Sequence, residues 1–258
     1  MRFELLGTLR LLDGERSTFI SAHKLELLLA TLLIRADHVV TTDQLMGEIW
    51  GDRLPKRATA GLHVYVSELR KLLHRAGRPD APIVTRSPGY MLLLRDDEVD
   101  AEVFLELTER GREFMRSGQY EQARAAFEEA LALWRGPVLG DIGLGPVVRS
   151  FATRLTETRT DCMEMLVDAQ LRLGRHRELV GLLYTLIAEN PLREAFHRQL
   201  MLALYRSERQ ADALKAYQSA RKTLIDELGL EPCAPLQDLH RAILQADPRA
   251  LDLCATAA

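Results

Sequence analysis

The chain has 258 residues, 47% of them hydrophobic, and a formal net charge of −3 at pH 7. This composition suffices for one large or two ordinary globular domains and excludes a disordered chain. No apolar run approaches the roughly 18 residues that cross a bilayer and no cleavable leader is visible, so we expect no membrane span and a cytoplasmic protein.

The first residues predict a small β-structure. Residues 2–12 and 17–20 alternate loosely between apolar and polar side chains around a turn at residues 13–15. This period of two is typical of short strands.

Two helices are predicted next. Residues 22–35 are too uniformly apolar for a surface helix and indicate a buried, central one. Thr41 and Gln44 have the spacing of a capping box, which predicts a second helix that continues to Trp50 and ends at Gly51.

A third helix is predicted over residues 57–75. One narrow stripe of it is apolar: Leu62, Val66, Leu69 and Leu73. The opposite side carries polar residues at the same spacing: His63, Ser67, Arg70 and His74, with Ala60 and Lys71 beside them. Taken alone, this side is an ordinary solvated face, so the neighbouring elements decide its role.

The segment 83–94 predicts a hairpin. Two apolar runs flank Arg-Ser-Pro-Gly, where Pro88 presets one turn dihedral, Gly89 tolerates positive φ and Arg86 lies near the tip. Three helices, the third basic on its outer face, followed by a hairpin with a basic tip are the layout of a winged helix-turn-helix. In this setting the polar side of the third helix predicts DNA contact.

Charge is unequally distributed along the chain. Residues 1–95 carry 14 Lys and Arg against 10 Asp and Glu, whereas residues 96–258 carry 20 against 27. The excess of positive charge concentrates between Lys56 and Arg78, where six basic residues accompany the single acid Glu68. Such clustering favours phosphate contact.

The rest of the chain is predicted to be helical and contains a repeat. The acidic run 96–100 marks the predicted boundary between domains 1–95 and 96–258. Three copies of a small-then-large pattern follow: Ala123, Phe127 and Ala130; Leu179, Leu183 and Leu186; Ala213, Tyr217 and Ala220. The second and third copies are 34 residues apart, which is the tetratricopeptide period. An insertion separates the first copy from the second. The expected fold is therefore mainly α with a small β content: a winged helix-turn-helix followed by an all-α, tetratricopeptide-like domain.

Several long stretches resemble the Streptomyces antibiotic regulatory protein family. In the first domain they are LLLATLLIRADHVVTTDQLMGEIWGD, LHVYVSELRKLL and IVTRSPGYML; in the second they include DAEVFLEL, ALALWRGPVLGDI and NPLREAFHRQLMLALYRSERQADALKAY. The resemblance implies a small, two-domain transcription activator of a secondary-metabolite (antibiotic) gene cluster. It further implies binding to direct repeats near promoters and recruitment of RNA polymerase. Glu208 departs from the family, which usually has a turn glycine there.

Roles follow for the basic residues if the third helix enters the major groove. The expected base or groove contacts are His63, Ser67, Arg70, Lys71 and His74, with Arg70 first for specificity. The expected phosphate contacts are Lys56, Arg57, Thr59 and Arg75. Arg86 on the wing is expected at the minor groove, braced by Thr85. Because one monomer covers a short half-site, we expect a homodimer or two protomers on double-stranded DNA, and hence a nucleoid-associated protein.

Other chemistry is not indicated. The chain has no GxxxxGK[ST] loop, no HExxH and no GxSxG elbow, so we expect neither an enzyme nor a bound cofactor or metal. Three cysteines, Cys162, Cys233 and Cys254, are odd in number and far apart, which argues against a disulfide framework. The alternative is a helical-repeat scaffold or ligand sensor whose N-terminal domain is a protein-interaction module, although such a scaffold would not require the partition of charge.

Overall fold

The computed structural model describes residues 1–78, 80, 82–142 and 145–246, so Cys254 lies outside the described residues. They form two compact units, one of residues 1–110 with 128–161 and one of residues 111–127 with those from 162 onward. Within the described part of the chain, no helix combines the length and apolar character needed to cross a membrane.

Four short strands form the first sheet, in the order β3-β2-β1-β7. They are β1 (Arg2–Glu4), β2 (Arg10–Asp13), β3 (Arg16–Phe19) and β7 (Glu98–Val99), and β7 pairs parallel to β1. The prediction of one strand over residues 2–12 is wrong, because the chain leaves the sheet after Glu4. The N–H groups of Leu5 and Leu6 donate to the carboxylate of Asp100, at 2.7 and 3.0 Å, and not to a neighbouring strand.

The three predicted helices of the first unit are confirmed. They are α1 (His23–Ile34), α2 (Thr42–Trp50) and α3 (Ala58–Arg75). Residues 26–33 of α1 are buried, as its uniform apolarity predicts. Both hydrogen bonds of the capping box between Thr41 and Gln44 are present, so local chemistry fixes where α2 begins.

The hairpin is also confirmed. Strands β5 (Ile83–Arg86) and β6 (Gly89–Leu92) pair antiparallel, and β6 pairs with β4 (Val40–Thr41). The expected reason for Gly89 is wrong: it is part of β6 and has no positive φ. A Cβ atom at this position would lie 1.9 Å from the carbonyl oxygen of Val40, so glycine is required by the close approach of β4.

The later helices form pairs, as the repeat predicts. They are α4 (Asp100–Arg116), α5 (Tyr120–Ala132), α6 (Pro146–Arg172), α7 (His176–Glu189), α8 (Glu194–Arg206), α9 (Gln210–Leu228) and α10 (Ala234–Leu244). All nine residues of the repeated pattern are buried. Gly118, Gly174 and Glu208 occupy equivalent turns between paired helices, with φ of 72°, 80° and 65°. Glu208 thus adopts the left-handed conformation that glycine adopts with less strain.

Two buried carboxylates join the segment 1–95 to later residues within the first unit. Glu48 of α2 accepts hydrogen bonds from the backbone N–H groups of Val147, at 2.7 Å, and Val148, at 3.5 Å, in the first turn of α6. Asp100 receives the N–H groups of Leu5 and Leu6. Burial raises the pKa of the Asp100 carboxyl, and these hydrogen bonds oppose the rise. This unit therefore includes residues from both sides of the boundary at 95 and 96, which stays a prediction.

Candidate nucleic-acid interface

The outer face of α3 is open to solvent along its whole length. Leu62, Val66, Leu69 and Leu73 are buried on the opposite side, as their spacing predicts. The exposed residues on the outer face are Ala60, His63, Val64, Ser67, Glu68, Lys71, His74 and Arg75. A helix of 18 residues is about 27 Å long, which exceeds the roughly 12 Å width of a major groove, so part of this face can lie in the groove while its ends meet the backbones.

Arg70 lies at the edge of this face and contacts the hairpin. Its Nε donates to the carbonyl oxygen of Ile83 at 2.9 Å, and its Nη2 donates to Oγ1 of Thr85 at 3.1 Å. The guanidinium carbon also lies 5.9 Å from the centre of the Tyr90 ring. Arg70 is therefore half-buried, and the exposed face is centred further round the helix than the sequence predicts.

The hydroxyl of Thr85 accepts this hydrogen bond from Arg70, and a supporting role of Thr85 towards Arg86 stays a prediction. Arg86 is exposed at the end of β5, so the hairpin presents a cation at its tip. Thr42, the first residue of α2, also donates its hydroxyl to the carbonyl oxygen of Pro88 in the turn, at 3.1 Å. The hairpin is thus held by both α2 and α3.

Tyr90, a residue of the hairpin, packs against α3. It is 7% exposed and belongs to β6, opposite Thr85. The ring of His63 meets that of Tyr90 edge to face, with 6.4 Å between the ring centres. Two residues of α3, His63 and Arg70, therefore contact Tyr90, and these contacts fix the position of the hairpin relative to α3.

The beginning of α3 carries the other expected phosphate contacts. Lys56, Arg57 and Thr59 are exposed in the turn that precedes α3 and in its first turn. The N-terminal end of a helix presents unpaired N–H groups and a partial positive charge, which favours an anion there. The basic side chains and the N-terminal end of α3 therefore both attract a phosphate here.

Arg78 does not share this role. It is 9% exposed and forms ion pairs with Asp80 and Asp97. Its hydrogen bond to Asp80 holds the pKa of that carboxyl below its ordinary value. Arg78 is thus a buried ion-pair residue, whereas Arg75 is exposed at the end of α3.

One residue on the exposed face was not selected from the sequence. Val64 is 53% exposed at the middle of this face, and being apolar it does not belong to the basic and hydrogen-bonding residues that predict DNA contact. Its angular position was the signal available, since Val64 lies about 140° to 180° round the helix from the buried leucines and Val66.

Comparison with known families agrees with this architecture. Residues 20–92 match the family described as "Transcriptional regulatory protein, C terminal", and residues 99–244 match "Bacterial transcriptional activator domain".

Individual relatives match nearly the whole chain. The regulatory protein DnrI of Streptomyces peucetius is 36% identical over 96% of this chain and 93% of its own length. The regulatory protein AfsR of Streptomyces coelicolor is also 36% identical, over 100% of this chain but 26% of its own length. Among solved structures, Mycobacterium tuberculosis EmbR in complex with a low-affinity phosphopeptide has a TM-score of 0.92 and 35% identity, covering 99% of this chain and 68% of EmbR.

Proposed function

Because this chain belongs to the Streptomyces antibiotic regulatory protein family, whose members regulate transcription, we propose that it activates a secondary-metabolite gene cluster by binding direct repeats near the promoter. The exposed polar face of α3, with basic side chains at both ends and next to a hairpin that has Arg86 at its tip, is the observation that carries the DNA-binding part of this proposal.

The proposed base contacts come from the exposed face and its edge. His63, Ser67, Lys71 and His74 are exposed and can offer hydrogen bonds to base edges. Arg70 uses the Nε side of its guanidinium for the hairpin, so the Nη1 side is the one that can meet a guanine. An arginine whose fork is already held loses less conformational freedom when it binds.

The proposed phosphate contacts flank this surface. Lys56, Arg57 and Thr59 lie at one end of α3 and Arg75 at the other, while Arg86 extends from the hairpin towards an adjacent minor groove. Contacts of this kind fix orientation and register, whereas the residues between them select the sequence.

Two protomers on adjacent repeats supply the affinity that one short half-site cannot. Repeats separated by about one helical turn place both α3 helices on the same side of the duplex. The segment 96–258 has 27 acidic against 20 basic side chains, so its charge does not favour DNA. We assign to it the contacts with RNA polymerase and with the second protomer, and we place the protein at the nucleoid in the cytoplasm.

Selection from random DNA tests the proposal. The full chain is incubated with a pool of random 40-base-pair duplexes, bound DNA is amplified over several rounds, and the enriched duplex is titrated in a gel-shift assay at increasing salt. We expect two copies of one short motif in the same orientation and a logarithmic salt slope of about −0.9 for each phosphate neutralised. As a matched control, Lys222→Ala removes an exposed lysine on α9 and should leave both unchanged.

The alternative function predicts a different result. A helical-repeat scaffold or ligand sensor would enrich no motif, and any DNA binding would be weak and equal for all sequences. That outcome would overturn the proposal. Enrichment of a single half-site or of an inverted repeat would retain DNA binding but contradict the arrangement of the two protomers.

A further inference from the structure

Val64 is an apolar side chain in the middle of the proposed recognition surface. It is 53% exposed. On its own side of α3, Ala60, Ser67 and Glu68 lie one turn away and Lys71 lies two turns away. Single exposed apolar residues are normal on protein surfaces, so exposure alone implies nothing. Its position, rather than its exposure, requires an explanation.

Val64 and Ala60 form one apolar strip. They are four residues apart, so their methyl groups lie one above the other on the same face of α3. Both are exposed, and both lie in the first half of the helix, which begins at Ala58. In helix-turn-helix proteins the N-terminal residues of the recognition helix reach the base edges. The strip therefore lies where bases, and not phosphates, would be met.

The chemistry of the major groove limits what such a strip can recognise. All four bases present hydrogen-bonding groups there, and valine can pair with none of them, whereas thymine alone also presents an apolar C5-methyl group, at which an apolar side chain gains a contact. Valine has one strongly preferred rotamer in a helix, so its methyl groups are already fixed before DNA binds.

We propose that Val64, with Ala60 beside it, is a specificity-determining residue that recognises the C5-methyl group of a thymine in each half-site. This inference rests on the proposed function, because it requires that α3 enters the major groove. Arg70 and Lys71 would select bases by hydrogen bonds, and Val64 adds selection by an apolar contact that no hydrogen-bonding residue can make.

Deoxyuridine provides a direct test, since it pairs like thymidine but lacks the C5-methyl group. Each thymine of the enriched duplex is replaced in turn by deoxyuridine, and affinity is measured for the wild-type chain and for Val64→Ala. We expect one thymine per half-site at which deoxyuridine lowers wild-type affinity about fourfold, the effect of losing one buried methyl-sized group. Val64→Ala should lose the sensitivity at that thymine and keep any sensitivity elsewhere.

Two controls accompany this measurement. Val39→Ala truncates another exposed valine, outside α3, and should keep the full sensitivity to deoxyuridine. Val64→Ile retains an apolar β-branched side chain and should also keep it. Circular dichroism of each variant should match the wild type, because Val64 and Val39 are exposed and their truncation leaves no cavity.

The possible failures are distinguishable. If the wild-type chain enriches no motif, the proposed function fails. If it binds a motif but tolerates deoxyuridine at every position, or if Val64→Ala keeps the sensitivity of the wild type, the inference alone fails. Val64→Ala could also lower the affinity for the thymine and deoxyuridine duplexes by the same factor, so that the variant still distinguishes the two. Val64 would then contact protein and not the methyl group, which would also overturn the inference.

Discussion

Replacing Arg70 with alanine should weaken binding mainly at one base pair of each half-site. A bidentate contact between an arginine and guanine discriminates by about 1–3 kcal/mol, which corresponds to about 5- to 150-fold in affinity. In the structure the Nε side of the guanidinium is held by Ile83 at 2.9 Å and Thr85 at 3.1 Å. We therefore expect the Nη1 side to make the base contact.

The hydrogen bond from Arg70 to Thr85 gives a second, smaller effect. Thr85→Val keeps the shape and strand preference of the side chain but removes the hydroxyl that accepts from Nη2. The guanidinium keeps its hydrogen bond to Ile83 but is held less firmly, so the extra ordering on binding should cost no more than about 0.5–1.5 kcal/mol, or about 2- to 13-fold. The loss should fall at the base pair that Arg70→Ala affects, and Arg70→Ala combined with Thr85→Val should be no worse than Arg70→Ala alone.

The assay is a competition titration in which each base pair of the enriched duplex is replaced in turn. For the wild type, one guanine-containing pair per half-site should be intolerant of replacement, and for Arg70→Ala the same replacement should cost little. A loss that is equal at every base pair would refute the reasoning. Arg70 would then only hold the hairpin on α3, and selection would rest on the exposed residues.

Three further predictions concern phosphate contact, stability and pH. Lys56→Ala should weaken all duplexes about equally and reduce the salt slope by about 1 per bound protomer; a sequence-dependent loss would contradict it. Glu48→Ala should lower the free energy of unfolding by about 1.5–3 kcal/mol, because the half-buried N–H of Val147 loses a charged acceptor, and Glu48→Gln should cost less. A Glu48→Ala variant with the melting temperature of the wild type would contradict this. Burial against Tyr217, with 3.8 Å between the ring centres, lowers the pKa of His240. The folded chain therefore binds fewer protons than the unfolded one, so the free energy of unfolding should rise with pH up to about 6.5. His240→Phe should flatten that rise in denaturant titrations at several pH values.

Features fixed by neighbours in sequence could be predicted from the sequence. The capping box of Thr41 and Gln44 sets the start of α2 within four residues, and the leucine spacing of α3 identifies its buried side directly. The same holds for the hairpin, whose turn and flanking strands are contiguous. Periodicity and capping are local, so no knowledge of distant residues is needed to read them.

Features that depend on distant residues could not be predicted. Nothing in the sequence around Arg78 reveals that Asp97 pairs with it, and nothing near Gly89 reveals the approach of Val40. Arg70 is half-buried because the hairpin folds against it, so a helical wheel alone places it on the solvent side. In each case the deciding partner comes from another element.

Glu48 and Asp100 extend this reasoning to how the recognition surface is held. Glu48 belongs to α2 and accepts N–H groups from residues about 100 positions later, and Asp100 accepts N–H groups from residues about 95 positions earlier. A fragment that ended at residue 95 would lose Asp100, the N–H groups that Glu48 receives and the strand β7 that completes the first sheet. It would lose the hydrogen bonds that these two carboxylates accept, and a hydrogen bond to a charged group contributes about 1.5–3 kcal/mol. The unit that carries the proposed DNA-binding surface thus includes residues beyond the helix-turn-helix, so the selectivity of this surface is best measured on the full chain.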